Sequence, residues 1–152
     1  TTKIVDAIYR QAKVQLSPSP MKPTSQMEST AYLVQHDETV DRQRAKNSET
    51  LGKLTAGQKK DIVLSNRLRS KPGRVAIYGW HRTNGKPIQP LSTVHGARYA
   101  DYSHGVRLVS QTAFIDGKAV DLKDIMQDRE LALIVNNEGP IDDLNGLVDS
   151  LY

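Results

Sequence analysis

The thirty residues from Tyr78 to Arg107 carry most of the side chains in this sequence that could perform chemistry. They include three of the four histidines and four of the eight aromatic residues. We therefore expect a single site to draw on this segment. Its candidate residues are Trp80, His81, Gln89, His95, Tyr99, Asp101, Tyr102, Ser103, His104 and Arg107.

A zinc site is the first chemistry that these residue types suggest. His95 and Asp101 are six residues apart, and His104 follows Asp101 by three. His81 could add a fourth ligand, because catalytic zinc commonly takes three imidazole or carboxylate ligands plus water. A loop over residues 96–100 would let these ligands converge, whereas a flat strand would point Asp101 and His104 to opposite faces. No His-Glu-x-x-His motif is present. The alternative is that one histidine is a hydrogen-bonded core residue and another is simply exposed.

Metal-free nucleophilic catalysis is a second hypothesis. Ser103 lies beside His104, while Ser92 and Thr93 precede His95. A hydroxyl nucleophile needs a base within hydrogen-bond reach and an acid that orients this base, a role open to Asp101. The chain has no Gly-x-Ser-x-Gly elbow, which disfavours a serine hydrolase.

The third hypothesis is a site for an acidic sugar. Gln89, His95, a tyrosine (Tyr99 or Tyr102) and Arg107 are the residue types with which a polysaccharide lyase neutralises a uronate and moves protons. Trp80 could stack on a sugar ring, although a lone tryptophan at a strand end is more often part of the core.

A fourth hypothesis is structural. Residues 78–81 and 102–105 could be buried aromatic and polar packing at two strand ends, because Tyr, Trp and His pair an apolar body with a polar tip.

Composition limits the class of protein. The chain has 152 residues, no cysteine, 25% charged residues and a net charge of +4, which is typical of one soluble domain without disulfides or thiolate metal sites. The positive residues are spread along the chain without a basic stripe, so we expect an acidic or polymeric substrate more than nucleic acid. No apolar run is long enough to span a bilayer. No signal peptide is visible, which is compatible with a leader removed before Thr1.

Helices are expected first along the chain. Apolar spacing and end signals predict helices over Thr2–Gln15, Asp37–Leu54 and Gly57–Arg69, with Ser29–Val34 open between strand and helix. Residues 17–24 are predicted to form an extended proline-rich strap. The sequence predicts strands over Val75–Trp80, Lys86–Leu91, Gly105–Gln111, Ala113–Ile115, Lys118–Val120 and Leu131–Val135, with hairpin turns at Asn84-Gly85 and Asp116-Gly117. Short helices are predicted over Leu122–Gln127 and Ile141–Leu151. The expected fold is a single α+β domain, with N-terminal helices on a mainly antiparallel sheet and a short C-terminal helix.

Part of the segment between Val75 and Val109 resembles known sequences. The strings Tyr78-Gly79-Trp80-His81 and Ile88-Gln89-Pro90-Leu91, then His95, then residues 101–107 (DYSHGVR), resemble a group of uncharacterised microbial proteins. The resemblance implies an exported protein, located outside the cell or in the periplasm, and no particular reaction.

A weaker resemblance is to zinc D-Ala-D-Ala dipeptidases and related cell-wall peptidases. In these, a Ser-x-His precedes an Asp ligand, as Ser92-Thr93-Val94-His95 and Asp101 approximate here. Both spacings differ by one residue, and no histidine follows His104 to supply the later ligand. The resemblance implies zinc-assisted amide hydrolysis.

The leading expectation is an exported hydrolase acting on a polymer of the cell envelope or matrix. His95, Asp101 and His104 would form its catalytic or zinc centre, and His81 would be a further ligand or the general base. Arg107 would stabilise negative charge, while Trp80, Gln89, Tyr99 and Tyr102 would bind the substrate. The alternatives are a polysaccharide lyase on an acidic glycan and a non-catalytic module that binds anionic glycan or cell-wall polymer.

Overall fold

The computed structural model describes residues 1–47 and 52–149. Its helices are α1 (Thr2–Gln11), α2 (Thr30–Ala45), α3 (Leu122–Gln127), α4 (Ala132–Val135) and α5 (Leu144–Asp149), with a short 3₁₀ helix at Asn66–Ser70. Its strands are β1 (Val14–Gln15), β2 (Thr55–Ala56), β3 (Lys60–Val63), β4 (Ala76–His81), β5 (Pro87–Ser92), β6 (His104–Gly105), β7 (Thr112–Ile115) and β8 (Lys118–Asp121). This is the expected α+β class. None of the helices in the described ranges is long and apolar enough to cross a membrane.

A four-stranded sheet in the order β5-β4-β3-β6 forms the centre of the fold. The pairs β3–β4 and β4–β5 are antiparallel, and β6 is added parallel to β3 at the edge. Helix α1 packs on one face of this sheet, where Val5 joins Val63, Ala76, Leu68 and Ile141 in the main core. Strands β1 and β2 form a short parallel pair, and β7 and β8 form a separate hairpin.

Both predicted hairpin turns are present. The N–H of Gly85 donates to the carbonyl of Arg82 at 2.8 Å, and Gly85 has a φ of 80°. Asp116 and Gly117 have φ values of 50° and 78°. Both positions of the second turn have positive φ, whereas at the first turn only Gly85 does, in a three-residue connection closed by the bond from the Arg82 N–H to the Lys86 carbonyl at 2.9 Å. Gly, Asn and Asp are preferred in such turns, so local turn chemistry was sufficient to predict where the hairpins turn.

Two predicted elements have the wrong type. Residues 57–69, expected as a helix, contain β3 and the 3₁₀ helix, because the β-branched pair Ile62-Val63 is drawn into the sheet opposite Ile77 and Ala76. Residues 131–135, expected as a strand, contain helix α4. The carboxylate of Asp128 accepts from the N–H groups of Glu130 and Leu131 at 2.8 Å each and so orders the turn that precedes α4, whose own N-cap residue Leu131 makes no side-chain cap hydrogen bond.

The ends of several other helices and strands differ from the predicted ones. Helix α1 ends at Gln11, because the N–H of Val14 donates to the carbonyl of Leu54 and the chain is extended there. Ser29 caps α2, which therefore begins before the predicted start and ends at Ala45; residues 48–51 of the prediction lie outside the described range. The strand expected over residues 105–111 is reduced to β6, and Val106 beyond it is 95% exposed. The C-terminal helix is confirmed as α5, with residues 150–151 of the prediction outside the described range.

Candidate functional site

The central sheet has two faces with different partners. Asp61 and Tyr78 are opposite each other on β3 and β4, on the same side as Val63 and Ala76, which pack against α1. We call this side the helix face. Lys60 of β3 lies opposite His104 of β6. Because side chains alternate along a strand, Lys60 and His104 point to the other side, which we call the distal face.

The alternation of β4 is broken at Gly79. A regular strand would place Trp80 beside Tyr78 on the helix face and His81 on the distal face. Gly79 and Trp80 instead have positive φ values of 111° and 59°. A Cβ atom on Gly79 would lie 3.3 Å from Val5 of α1, so this position has turned toward the helix face. The result is that Trp80 lies on the distal face and His81 on the helix face.

Asp6, Tyr9, Tyr78 and His81 form a helix-face cluster. The Nε2 of His81 and the hydroxyl of Tyr78 both bind Oδ1 of Asp6, at 2.8 and 2.9 Å. The ring of Tyr9 stacks on that of His81 with centroids 4.6 Å apart. Burial, followed by the Asp6 carboxylate, raises the pKa of Tyr78 to about 12. These contacts join α1 to the sheet and hold His81 away from His95 and His104.

Arg107 belongs to the same face. Its Nε lies 3.3 Å from Oδ1 of Asp61, and its Nη2 donates to the carbonyl of Thr55 at 3.0 Å. Burial raises the pKa of Asp61, and the Arg107 guanidinium opposes this rise. The predicted role of Arg107 beside His95 and His104 is therefore not supported by its position.

His95, Tyr99, Asp101 and His104 form a distal cluster. The ring centroids of His95 and Tyr99 are 4.3 Å apart, those of His95 and His104 5.3 Å, and those of Tyr99 and His104 5.9 Å. His104 is in β6, and the other three belong to the connection between β5 and β6. The loop over residues 96–100, required for convergence, brings these side chains together.

Asp101 is the buried anchor of the distal cluster, with only 2% of its surface exposed. Its Oδ1 accepts from the backbone N–H of Ser103 at 2.8 Å and from the Ser103 hydroxyl, and its Oδ2 accepts from the Tyr99 hydroxyl at 3.0 Å. Burial acts to raise the pKa of Asp101, but the Ser103 hydrogen bonds, with the Lys60 ammonium and the His104 ring when it is protonated, outweigh it and lower the pKa. Ser103 is fully buried, so its position does not suit a nucleophile.

His104 is arranged as a hydrogen-bond donor. Its Nδ1 accepts from the backbone N–H of Asp101 at 3.0 Å. The neutral ring therefore carries its proton on Nε2, which is buried and has no hydrogen-bond partner within the described residues. Burial lowers the pKa of His104, and the Asp101 carboxylate opposes this effect. The ring thus carries a neutral N–H group that is buried and, within the described residues, unpaired on the distal side of the sheet.

Lys60 and Trp80 adjoin the distal cluster, and sequence reasoning did not find Lys60. The ammonium of Lys60 lies 5.2 Å from the centroid of the Trp80 ring, a cation–π distance. Only 9% of Lys60 is exposed, and burial lowers its pKa against the attraction of Asp101. Lys60 was missed because residues 57–69 were predicted to be a helix. The face of the sheet on which Lys60 lies follows only from the pairing of β3 with β6.

His36, which lies on α2 next to the distal cluster, was also missed in the sequence analysis. It is fully buried, and its Nδ1 accepts from Nζ of Lys59 at 2.9 Å. Burial, and then the Lys59 charge, lower the pKa of His36 to about 4. Lys59 also donates to the carbonyl of Tyr102 at 2.6 Å. His36 is therefore a neutral packing residue that connects α2 to the sheet.

Tyr102 and Gln89 do not belong to the distal cluster. Tyr102 is buried, and its hydroxyl accepts from the N–H of Met21 at 2.9 Å and donates to the Met21 carbonyl at 3.2 Å. It thereby holds the segment predicted as a strap. Gln89 lies opposite Gly79 on β5 and donates to the carbonyl of Pro90 at 2.8 Å. Of the two tyrosines considered, Tyr99 is the one with a half-exposed ring beside His95.

The four predicted zinc ligands are not assembled. His81 lies on the helix face, and Nδ1 of His104 is occupied by an N–H donor. Among residues 1–47 and 52–149 no group of three or more His, Cys, Asp or Glu side chains is placed to hold a metal ion. A metal ligand must offer a lone pair, and the neutral His104 ring has none left to offer.

The distal cluster and the adjoining Lys60 together combine a half-buried imidazole, a phenol, a buried N–H donor and a buried ammonium group. Such a set can move protons and hold an anion without a nucleophile from the protein. No protein-family model, curated protein or solved structure matches this chain, so function is inferred from the site alone.

Proposed function

We propose that this protein is a lyase that cleaves an acidic glycan by general acid–base catalysis at the distal cluster. Among the sequence-based hypotheses, this is the acidic-sugar alternative. The observation that carries it is the closeness of His95 and Tyr99, whose ring centroids are 4.3 Å apart and whose pKa values are shifted in opposite directions.

His95 suits the role of general base. Burial lowers its pKa below the ordinary value of 6.5, with Asp101 opposing the shift and Lys60 adding to it. The ring is therefore neutral at pH 7 and able to accept a proton. Its ring is half-buried, and its Nδ1 is buried without a hydrogen-bond partner in the described residues, so Nε2 is the atom that would take the proton.

Tyr99 suits the role of general acid. Burial, and then the hydrogen bond to Asp101, raise its pKa to about 12. The phenol thus stays protonated at neutral pH. An acid this weak can still protonate a departing sugar alkoxide, which is a strong base. The phenol would turn from Asp101 to the leaving oxygen to do so.

His104 and Lys60 would hold the uronate carboxylate. They are cross-strand neighbours on β6 and β3. The Nε2 of His104 is buried without a hydrogen-bond partner in the described residues, and Lys60 is 9% exposed, so the carboxylate would have to enter between the side chains of the distal face to reach them. Removing the proton next to a carboxylate places negative charge on its oxygens, so donors at this point stabilise the transition state. His104 and Lys60 would take the role in stabilising negative charge that was predicted for Arg107, because Arg107 is bound to Asp61.

The elimination needs no other reactant. His95 takes the proton from the carbon that bears the carboxylate, and the C–H electron pair forms a carbon–carbon double bond. The bond from the neighbouring carbon to the glycosidic oxygen breaks, and this oxygen takes the proton of Tyr99. Proton transfer from His95 to Tyr99 through solvent then restores both residues.

The products of the reaction test this proposal. Purified protein would be incubated with polygalacturonate, alginate and hyaluronate, and each mixture followed by ultraviolet absorbance and mass spectrometry. We expect an unsaturated, absorbing chain end from at least one polymer. Chain ends that carry an added water, without the double bond, would contradict elimination and favour the exported hydrolase. Binding without cleavage would favour the non-catalytic module.

A further inference from the structure

A cleft lies beside the distal cluster, next to His95 along the chain. It has a volume of about 420 Å³ and is lined by Ser70, Lys71, Pro72, Arg74, Thr93 and Val94. This volume is within the range of about 300–1,000 Å³ that is typical of small-molecule sites. Neither the proposed base nor the proposed acid lines it, so the proton-transfer steps above leave the cleft without a role.

The two cations of this cleft are held in place by neutral groups. Nζ of Lys71 donates to the hydroxyl of Thr93 at 2.7 Å, and Nη1 of Arg74 donates to the carbonyl of Val94. In the described part of the chain, neither forms an ion pair with a carboxylate. Both charges are therefore positioned but not neutralised, which is the arrangement that an incoming anion requires.

The cleft and the proposed base are parts of one backbone unit. The N–H of Val75 donates to the carbonyl of His95 at 3.0 Å, and the N–H of Ala97 donates to the carbonyl of Gly73 at 2.9 Å. Thr93 precedes His95 by two residues, so their Cα atoms are at most about 7 Å apart. A polymer that reaches His95 can therefore extend over Lys71 and Arg74 with its neighbouring unit.

We infer that the cleft around Lys71 and Arg74 is a binding subsite for a second carboxylate-bearing unit of the substrate. This inference rests on the proposed function for its substrate class. The paired cations select polymers with acidic groups on successive units over neutral polymers of the same sugar. The cleft contributes to binding and register, and not to the proton transfers.

The test separates the subsite from the reaction by measuring binding directly. Calorimetric titrations with a galacturonate oligomer would compare the His95→Gln protein with the same protein carrying Lys71→Gln and Arg74→Gln as well. We expect affinity to fall by about tenfold or more when both cations are lost, because each is a charge-assisted donor. The neutral methyl-esterified oligomer should bind the two proteins equally.

A control pair removes two exposed lysines next to hairpin turns, Lys86 before β5 and Lys118 at the start of β8. Lys86→Gln and Lys118→Gln change the net charge by the same amount at the β4–β5 and β7–β8 turns. These substitutions should leave oligomer affinity within about twofold of the unaltered protein, since solvent screens remote charges. An equal loss in the control pair, or no loss in the Lys71/Arg74 pair, would overturn the subsite, as would a failure of the parent protein to bind. Binding that depends on Lys71 and Arg74, together with no cleavage of the polymer by the protein in which His95 is intact, would support the subsite and contradict the lyase.

Discussion

The backbone N–H of Asp101 donates to Nδ1 of His104 at 3.0 Å. This one hydrogen bond assigns the remaining proton of the neutral ring to Nε2 and makes His104 a donor on the distal face. The same aspartate accepts the Tyr99 hydroxyl, so a single buried residue orients both a donor and the proposed acid.

Replacing His104 by Ala should reduce turnover by about 10²–10³-fold, since one donor to developing negative charge contributes on this scale. The lost acceptor for the Asp101 N–H should cost about 1–3 kcal/mol in stability. His104→Asn can both accept and donate through its amide, so it should recover part of the activity. Steady-state kinetics and chemical unfolding would measure the two effects. Equal turnover in both variants and the parent would exclude a role for this side chain.

Replacing Gly79 by Ala should destabilise the protein by about 1–3 kcal/mol, because its φ of 111° is strained for a residue with a side chain. The added Cβ would also contact Val5 at 3.3 Å. Gly85→Ala is the control, since Gly85 also has positive φ but has nothing within 4 Å of the added atom. Urea unfolding with Trp80 fluorescence should show a larger loss for Gly79→Ala. Equal losses would mean that the contact with Val5 contributes nothing.

The stability of the protein should fall between pH 6.5 and about pH 4 because of His36, whose pKa is lowered to about 4 in the folded state. In this window the unfolded chain binds a proton that the folded chain does not, so stability is lost as the pH decreases. The loss should be about 3 kcal/mol larger in the parent protein than in His36→Gln. Unfolding free energies measured across this range would test the prediction. Parallel curves for the two proteins would contradict it.

The rate of cleavage should depend on pH through two groups. Because burial lowers the pKa of His95, kcat/KM should rise with pH through an apparent pKa below 6.5 as the base loses its proton. It should fall again as Lys60 deprotonates, below the ordinary pKa of 10.5. A pH–rate profile on the responsive polymer would measure both limbs. An acid limb above 6.5 would be incompatible with His95 as the base.

Local chemistry made part of the fold predictable. The turns at residues 84–85 and 116–117 and the helix at α3 follow from neighbouring residues, and all are present. Apolar spacing alone did not separate helix from strand where tertiary pairing decides, as at Ile62 and Val63. The strand predicted over residues 131–135 was wrong for the opposite reason, since the local turn that Asp128 orders leads into helix α4 despite the β-propensity of this segment.

The site was predictable where residues are near each other in sequence. His95, Tyr99, Asp101 and His104 come together through one loop, as their spacing allowed. His81 and Arg107 could not be assigned in this way, because the turned backbone at Gly79 and the partner Asp61 decide their positions. Lys60 carried no sequence signal, since its neighbour His104 is distant along the chain.

The most direct test of the lyase compares turnover in two matched pairs of variants. His95→Gln and Tyr99→Phe change the distal cluster, while His81→Gln and Tyr78→Phe make the same substitutions in the helix-face cluster, where Tyr78 also binds an aspartate and also has a pKa of about 12. We expect the first pair to lose unsaturated product by about 10²-fold or more, and the second pair to retain turnover when folded. Retained elimination in His95→Gln, or its loss only in His81→Gln, would contradict the assignment of the site.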